Sequence, residues 1–119
     1  MGAATLAIVL ATYVKSDWFG KVTTGAENCI LAGTITGSAS YATGGDTVDL
    51  SSFYTQAPTV VFVHPANGYF PSWTNGAALT NNKVQLFAGG ASAVEVTNAT
   101  NVSAVVIPFM AVGGVLKLA

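Results

Sequence analysis

No window of eleven or more residues in this chain holds apolar side chains at helical spacing without a glycine or a β-branched cluster interrupting it. A packed helix needs such a window, so the core must be built from shorter elements. The apolar residues come instead in brief runs rich in Val, Ile, Thr, Phe and Tyr, parted at roughly ten-residue intervals by Gly, Pro, Asn and Ser. That rhythm predicts an all-β fold: an antiparallel β-sandwich (jelly-roll-like) or a small barrel of about 7–8 short strands. No linker divides the chain, so one domain over residues 1–119 is expected.

The predicted strands differ in pattern. Thr5 to Val14 is apolar and β-prone, an extended N-terminal arm or strand, and Trp18 to Thr23 reads as a short second one. In Asn28 to Ser38, Leu31, Gly33 and Ile35 alternate with Ile30, Ala32, Thr34 and Thr36. Pro58 to His64 is continuously apolar, as in a central strand covered on both faces. Gly68 to Thr74 follows the Asn67-Gly68 turn signal. In Lys83 to Ala88, Val84, Leu86 and Ala88 alternate with Lys83, Gln85 and Phe87; in Ala93 to Thr97, Val94 and Val96 alternate with Glu95. Ser103 to Val112 places Val105, Ile107, Phe109 and Ala111 on one face, and its Pro108, lacking an N–H, predicts an edge or a bulge. Asp49 to Phe53 suits one helical turn, since Asp and Ser cap well.

Charge narrows the function classes. Four Lys, no Arg and five acidic residues make 8% of the chain, with a net charge of −1, where soluble domains carry about 25%. So uncharged a surface is prone to association, which predicts that neighbours cover much of it. The scattered lysines give no basic patch, and nucleic acid is not an expected partner. The apolar stretch from Ala3 to Val14 is shorter than the roughly 20 residues of a membrane span. No basic residue precedes it, unlike a secretion signal, so no membrane partner is expected either.

Sites of chemistry are sparse. His64 is the only histidine, at a strand end before Pro65, and spacing gives it neither a nucleophile nor co-ligands. Cys29, in an apolar run, reads as an inert thiol. Asp46 and Asp49 lack the dense Asp/Asn pattern of a calcium loop and read as turn formers. Gly44-Gly45 resembles a phosphate loop only superficially, because no Lys-Ser/Thr follows; a tight turn with positive φ is expected. Asn98-Ala-Thr100 and Asn101-Val-Ser103 match the glycosylation pattern, which arises easily by chance in a chain so rich in Asn, Ser and Thr. Tyr69, Phe70 and Trp73 around Pro71 suit either packing or a stacking platform for sugar. No catalytic residues, no cofactor and no enzyme activity are expected. The candidate interface residues are Leu6, Ile8 and Leu10 on the arm, Trp18 and Phe19, and the aromatics Tyr69, Phe70 and Trp73.

Several segments in order resemble one family. Gly33 to Asp46 is similar to a strand followed by an S-Y-x-T-G-G-[DE] turn, continued by Thr47-Val-Asp-Leu50. Val60 to Val63 with the Gly68-Tyr69 step resembles the next strand pair, and Lys83-Val-Gln-Leu a K-[VI]-x-[VLA] strand. Glu95 to Val105 resembles E-V-x-x-x-T-[DN]-[LV]-S-x-[VI], and Phe109 to Gly113 a closing F-x-A-[IV]-G. Together, over about two thirds of the chain, these resemble the small β-rich bacteriophage virion proteins that decorate or cement capsids. The family is more basic before its first matched strand, where this chain has its apolar arm. The resemblance implies a β-sandwich on the outer surface of the virion, often a homotrimer, fastening the major capsid protein and carrying no catalytic residues. A head-fibre base or tail-associated module is the alternative virion role, and a carbohydrate-binding sandwich using Tyr69, Phe70 and Trp73 is a third.

Overall fold

The computed structural model describes residues 2–13, 29–88 and 93–116. Among them there is no helix, and ten strands form antiparallel sheets: β1 (Thr5–Tyr13), β2 (Cys29–Thr36), β3 (Asp46–Val48), β4 (Tyr54–Gln56), β5 (Val60–Val63), β6 (Tyr69–Thr74), β7 (Asn82–Ala88), β8 (Val94–Glu95), β9 (Val106–Val112) and β10 (Val115–Leu116). One sheet runs β1-β2-β9-β5; the other runs β3-β7-β6, with β8 also on β7; β4 and β10 form a short ribbon. The sheets do not close into a barrel. Their inner faces share one core, Leu31, Ile35, Ile107, Phe109 and Ala111 from the first sheet meeting Val48, Val84 and Leu86 from the second. The fold is an all-β sandwich. The single turn expected at Asp49 to Phe53 forms, with Phe53 N and Tyr54 N both donating to Leu50 O.

The period-2 patterns carry over directly where one face is apolar and the other mixed. β9 buries Ile107, Phe109 and Ala111 and exposes Val106, Pro108 and Met110. β7 buries Val84 and Leu86 against half-buried Lys83, Gln85 and Phe87. In β8 the paired reading fails, because Val94 is 66% exposed whereas Val96, just past the strand, is buried; Val96 N donates to Leu86 O and turns the chain inward.

Two other expectations are corrected. Pro58 to His64 is not a central strand: β5 is outermost of the described strands of its sheet, pairing with β9 alone. Its unbroken apolarity has another cause. Val61 and Val63 face the core while Val60 and Phe62 stand on an uncharged outer face, Phe62 54% exposed. Pro108, conversely, is neither at an edge nor in a bulge, since β9 lies between β2 and β5. The proline is tolerated because its N–H and C=O positions face β5 just where that strand ends. His64 N donates to Pro108 O at 3.1 Å, and the missing reciprocal bond falls where the ladder stops.

The N-terminal segment forms the strand that its β-prone residues predict. β1 pairs along its length with β2, and a bulge lies at Val9, between the Ile8–Gly33 and Leu10–Ala32 pairs. Gly33 is what lets the strands fit. A Cβ there would run into the Ala7 carbonyl oxygen and come within 2.9 Å of Ile8 Cα.

The Asn67-Gly68 signal gives the expected two-residue hairpin turn. Both residues have positive φ, 54° and 82°, and Ala66 and Tyr69 exchange two backbone bonds of 3.1 and 2.9 Å. Asn67 has a second task, because its Oδ1 accepts from Val106 N at 3.2 Å, beyond the end of β5. Asn67→Ala loses that acceptor and the left-handed tolerance together. A loss of about 1–2 kcal/mol is expected in urea melts.

Candidate functional site

Two features stand out once the side chains are in place: a locked polar cluster at one end of the second sheet, and an uncharged outer face on the first.

The cluster is built from the Ser-Tyr-Ala-Thr-Gly-Gly-Asp turn. Gly44 and Gly45 have φ of 93° and 116°, the positive values expected of a tight turn. Asp46, 1% exposed, accepts from Ser38 N at 3.0 Å and Ala42 N at 3.1 Å, closing the loop that precedes β3. Tyr41 is wholly buried; its hydroxyl accepts from Leu86 N at 3.1 Å and donates to Glu95 Oε2 at 2.8 Å. The same Glu95 oxygen accepts from Gly44 N at 2.7 Å and Gln85 Nε2 at 3.3 Å. Thr43 N donates to Asn98 Oδ1 at 3.1 Å.

These bonds set the titration of the pair. Burial above all, with the Glu95 carboxylate adding to it and the Leu86 N–H opposing, pushes the Tyr41 phenol up to about 12. The Gly44 N–H, then the Tyr41 hydroxyl, hold the Glu95 carboxyl below its ordinary 4.5, against a smaller opposing effect of burial. A lowered carboxyl stabilises the fold above about pH 4.5, and that gain is lost as pH falls through the folded value. A raised phenol stabilises it below pH 10, and that gain is lost as pH rises towards about 12. Thermal melts across pH are expected to show both limbs; Glu95→Gln flattens the acid limb and Tyr41→Phe the alkaline one. These bonds lock the turn before β3 against β7 and β8.

Asp49 likewise serves a turn, its Oδ1 accepting from Ser51 N at 2.8 Å and Ser51 Oγ at 2.6 Å. His64 is exposed, and its Nδ1 lies 2.7 Å from Pro65 O; a carbonyl only accepts, so that nitrogen carries the proton. Among the described residues no three His, Cys, Asp or Glu side chains gather into a metal site.

The interface candidates divide. Leu6 and Ile8 are half-buried against the core, on the inward side of β1. Leu10 pairs by backbone with Ala32, and its side chain, like that of Cys29, lies outside the described residues, as do Trp18, Phe19 and the strand expected at Trp18 to Thr23. The three aromatics do not share one face. Alternation along β6 sends Tyr69 and Trp73 towards the core and Phe70, 50% exposed, to the opposite face. Trp73 Nε1 is held by Asn75 Oδ1 at 2.8 Å. No three-ring surface for a sugar results.

What sequence reasoning missed is the outer face of the first sheet. Val60, Phe62, Val106 and Met110 are its exposed large apolar residues, flanked by Pro108, Ile30, Ala32 and Thr34. At its rim a shallow cavity of about 300 Å³ is lined by Phe62, Val63, His64, Pro108, Phe109 and Met110. None of β1, β2, β5 and β9 contains a charged residue or an amide side chain. The described charges, Asp46, Asp49, Lys83 and Glu95, all lie in the second sheet or its loops. The signal was available in the strand sequences, but only strand order shows that these four lie side by side.

No protein family, curated protein or solved structure matches the chain.

Proposed function

We propose that the protein is a structural subunit of a bacteriophage virion, a capsid decoration or cement protein. It sits on the outer surface of the head, binds the major capsid protein and is grouped as a homotrimer. It acts by adhesion and carries out no chemical step. The observation that carries this reading is the segregation of charge among the described residues: one sheet face bears Lys83, Gln85 and Glu95, and the other bears no charge. A face without charge is costly to leave in water and resembles the charge-depleted centre of an interface. The ordered resemblance from Ala32 to Gly113 supplies the virion context.

Grouping would suit the task. Each contact at roughly 25 cal/mol per Å² of apolar area is modest after ordering costs, and several held together gain avidity. The test is cosedimentation with bacteriophage heads assembled from a candidate major capsid protein. Saturable retention at a fixed ratio to the shell subunit is expected; failure to sediment with heads contradicts the reading.

A further inference from the structure

We infer that copies of this chain join edge to edge, β5 of one beside β1 of the next, and that three such joins close the homotrimer. This rests on the reading of the protein as a trimeric assembly subunit, and it assigns the residues that hold the trimer together.

Ladder alternation identifies the free backbone groups. In an antiparallel pair every second residue turns its N–H and C=O towards the partner strand. His64 N donates to Pro108 O, so in β5 Val60 and Phe62 face β9, while Val61 and Val63 turn their groups off the edge of the sheet. Gly37 N donates to Val105 O, so Thr34 and Thr36 of β2 face β1 and hold Ala7 and Thr5. Leu6 and Ile8 therefore turn their groups off the other edge, the side on which Ala4 N donates to Thr47 O. Among the described residues, Leu6, Ile8, Val61 and Val63 have no backbone partner on that outer side.

The two edges fit each other in direction, register and side-chain phase. The sheet has an even number of antiparallel strands, so β1 of a neighbour set beside β5 continues the alternation. With Leu6 opposite Val63 and Ile8 opposite Val61, each pair exchanges both N–H···O bonds. All four of these side chains face the core and are only half-buried, so the join continues the core from copy to copy. Ala7 and Phe62 then meet on the outer face. A shift of two residues one way sets Leu6 against Pro65, which has no N–H. A shift the other way sets Ile8 against Thr59, whose N–H is given to Val112 O.

The remaining described edges do not suit such a join. Val96 N donates to Leu86 O, which leaves Gln85 and Phe87 to hold Ser72 and Phe70, so Pro71 of β6 sets its donorless nitrogen at the free edge. β3 gives its outer side to Gly2 and Ala4 through Thr47. The β4-β10 ribbon is only two pairs long and irregular. A join of unlike edges is heterologous: every copy supplies both halves, and a closed ring leaves neither unpaired. The outer face of the sheet stays open to a further partner.

Native mass of the full chain with no shell protein present, and a cysteine pair across the join, test this. The wild-type mass is expected at three times 12.0 kDa. Ala7→Cys with Phe62→Cys, treated with oxidised glutathione, should give dimer and then trimer on a non-reducing gel, with no larger rung. Within one copy β2 and β9 separate these positions by about 14 Å or more, beyond the roughly 7 Å that a disulfide spans between Cα atoms. The wild type, with Cys29 alone, and either single substitution should give no trimer rung. Ala7→Lys with Phe62→Lys sets like charges opposite each other at every join and should weaken the trimer by about tenfold or more. Ala7→Glu with Phe62→Lys should restore it, which a loss of local packing would not allow. A monomeric wild type overturns the inference, as does a trimer whose cysteine pair stays unlinked, or a ladder that stops at two or runs past three. Head cosedimentation separates the two readings: a monomer that binds heads sinks the edge join alone, and a linked trimer that ignores heads sinks the decoration role alone.

Discussion

Gly33→Val is expected to leave the chain without a cooperative unfolding transition. The added side chain would point into the core-facing side of β2, where the Ala7 carbonyl and Ile8 Cα of the bulged β1 already lie. The obstacle is backbone, which cannot rotate away as a side-chain tip can. Relief requires β1 to lift from β2, breaking a ladder that extends from Thr5–Thr36 to Tyr13–Cys29. Overpacking in a well-filled core costs about 1–3 kcal/mol and occasionally more. Loss of a whole strand pairing comes on top, in a domain whose total stability is about 5–15 kcal/mol. Even Gly33→Ala introduces the offending Cβ and is expected to lower the melting temperature sharply; a wild-type-like melt for the alanine variant would show that β1 does not cross there.

Asp46→Ala is the second large effect. Its carboxylate lies 1% exposed and accepts from Ser38 N and Ala42 N. Alanine leaves two backbone donors without their partner in a site with little access to water. Each such orphan costs about 1–3 kcal/mol, so a loss of about 2–6 kcal/mol is expected in denaturant melts. Asp46→Asn retains one acceptor oxygen but turns an amide donor towards another donor, and its loss is expected to be smaller. The loop from Gly37 to Gly45, lying between β2 and β3, should show the accompanying rise in amide exchange. A loss below about 0.5 kcal/mol for Asp46→Ala, the size of an ordinary surface change, would mean the carboxylate is not the loop's anchor.

The sandwich was legible because strand alternation is a local signal. Val105, Ile107, Phe109 and Ala111 recur at period two, and that period fixes which way each side chain turns whatever lies alongside. The Asn67-Gly68 turn is equally local, its positive φ values being a property of two residues. Neighbourhood is different. Val60 to Val63 reads as a doubly covered strand because an apolar outer face and an apolar inner face write the same letters. Pro108 reads as an edge because its missing donor is harmless only when the adjacent strand ends opposite it. Leu6 and Ile8 read equally as part of an arm or of a strand because nothing in their own segment announces that Gly33 makes room for β1. The role of Tyr41 depends on Leu86 and Glu95, more than forty positions along the chain, so no spacing rule exposes it. The uncharged face likewise exists only after β1, β2, β9 and β5 are brought side by side.

The account stands on that face being covered by protein in the assembled state. Photochemical footprinting of particles carrying the chain, compared with the same chain released from them, reads it residue by residue. Phe62 and Met110, 54% and 40% exposed in the single chain, are predicted to label in the released protein and to be protected on the particle, with Phe70 as the reference from the other sheet. Equal labelling of Phe62 and Met110 in both states would mean that the uncharged sheet stays open to solvent, and would contradict the account.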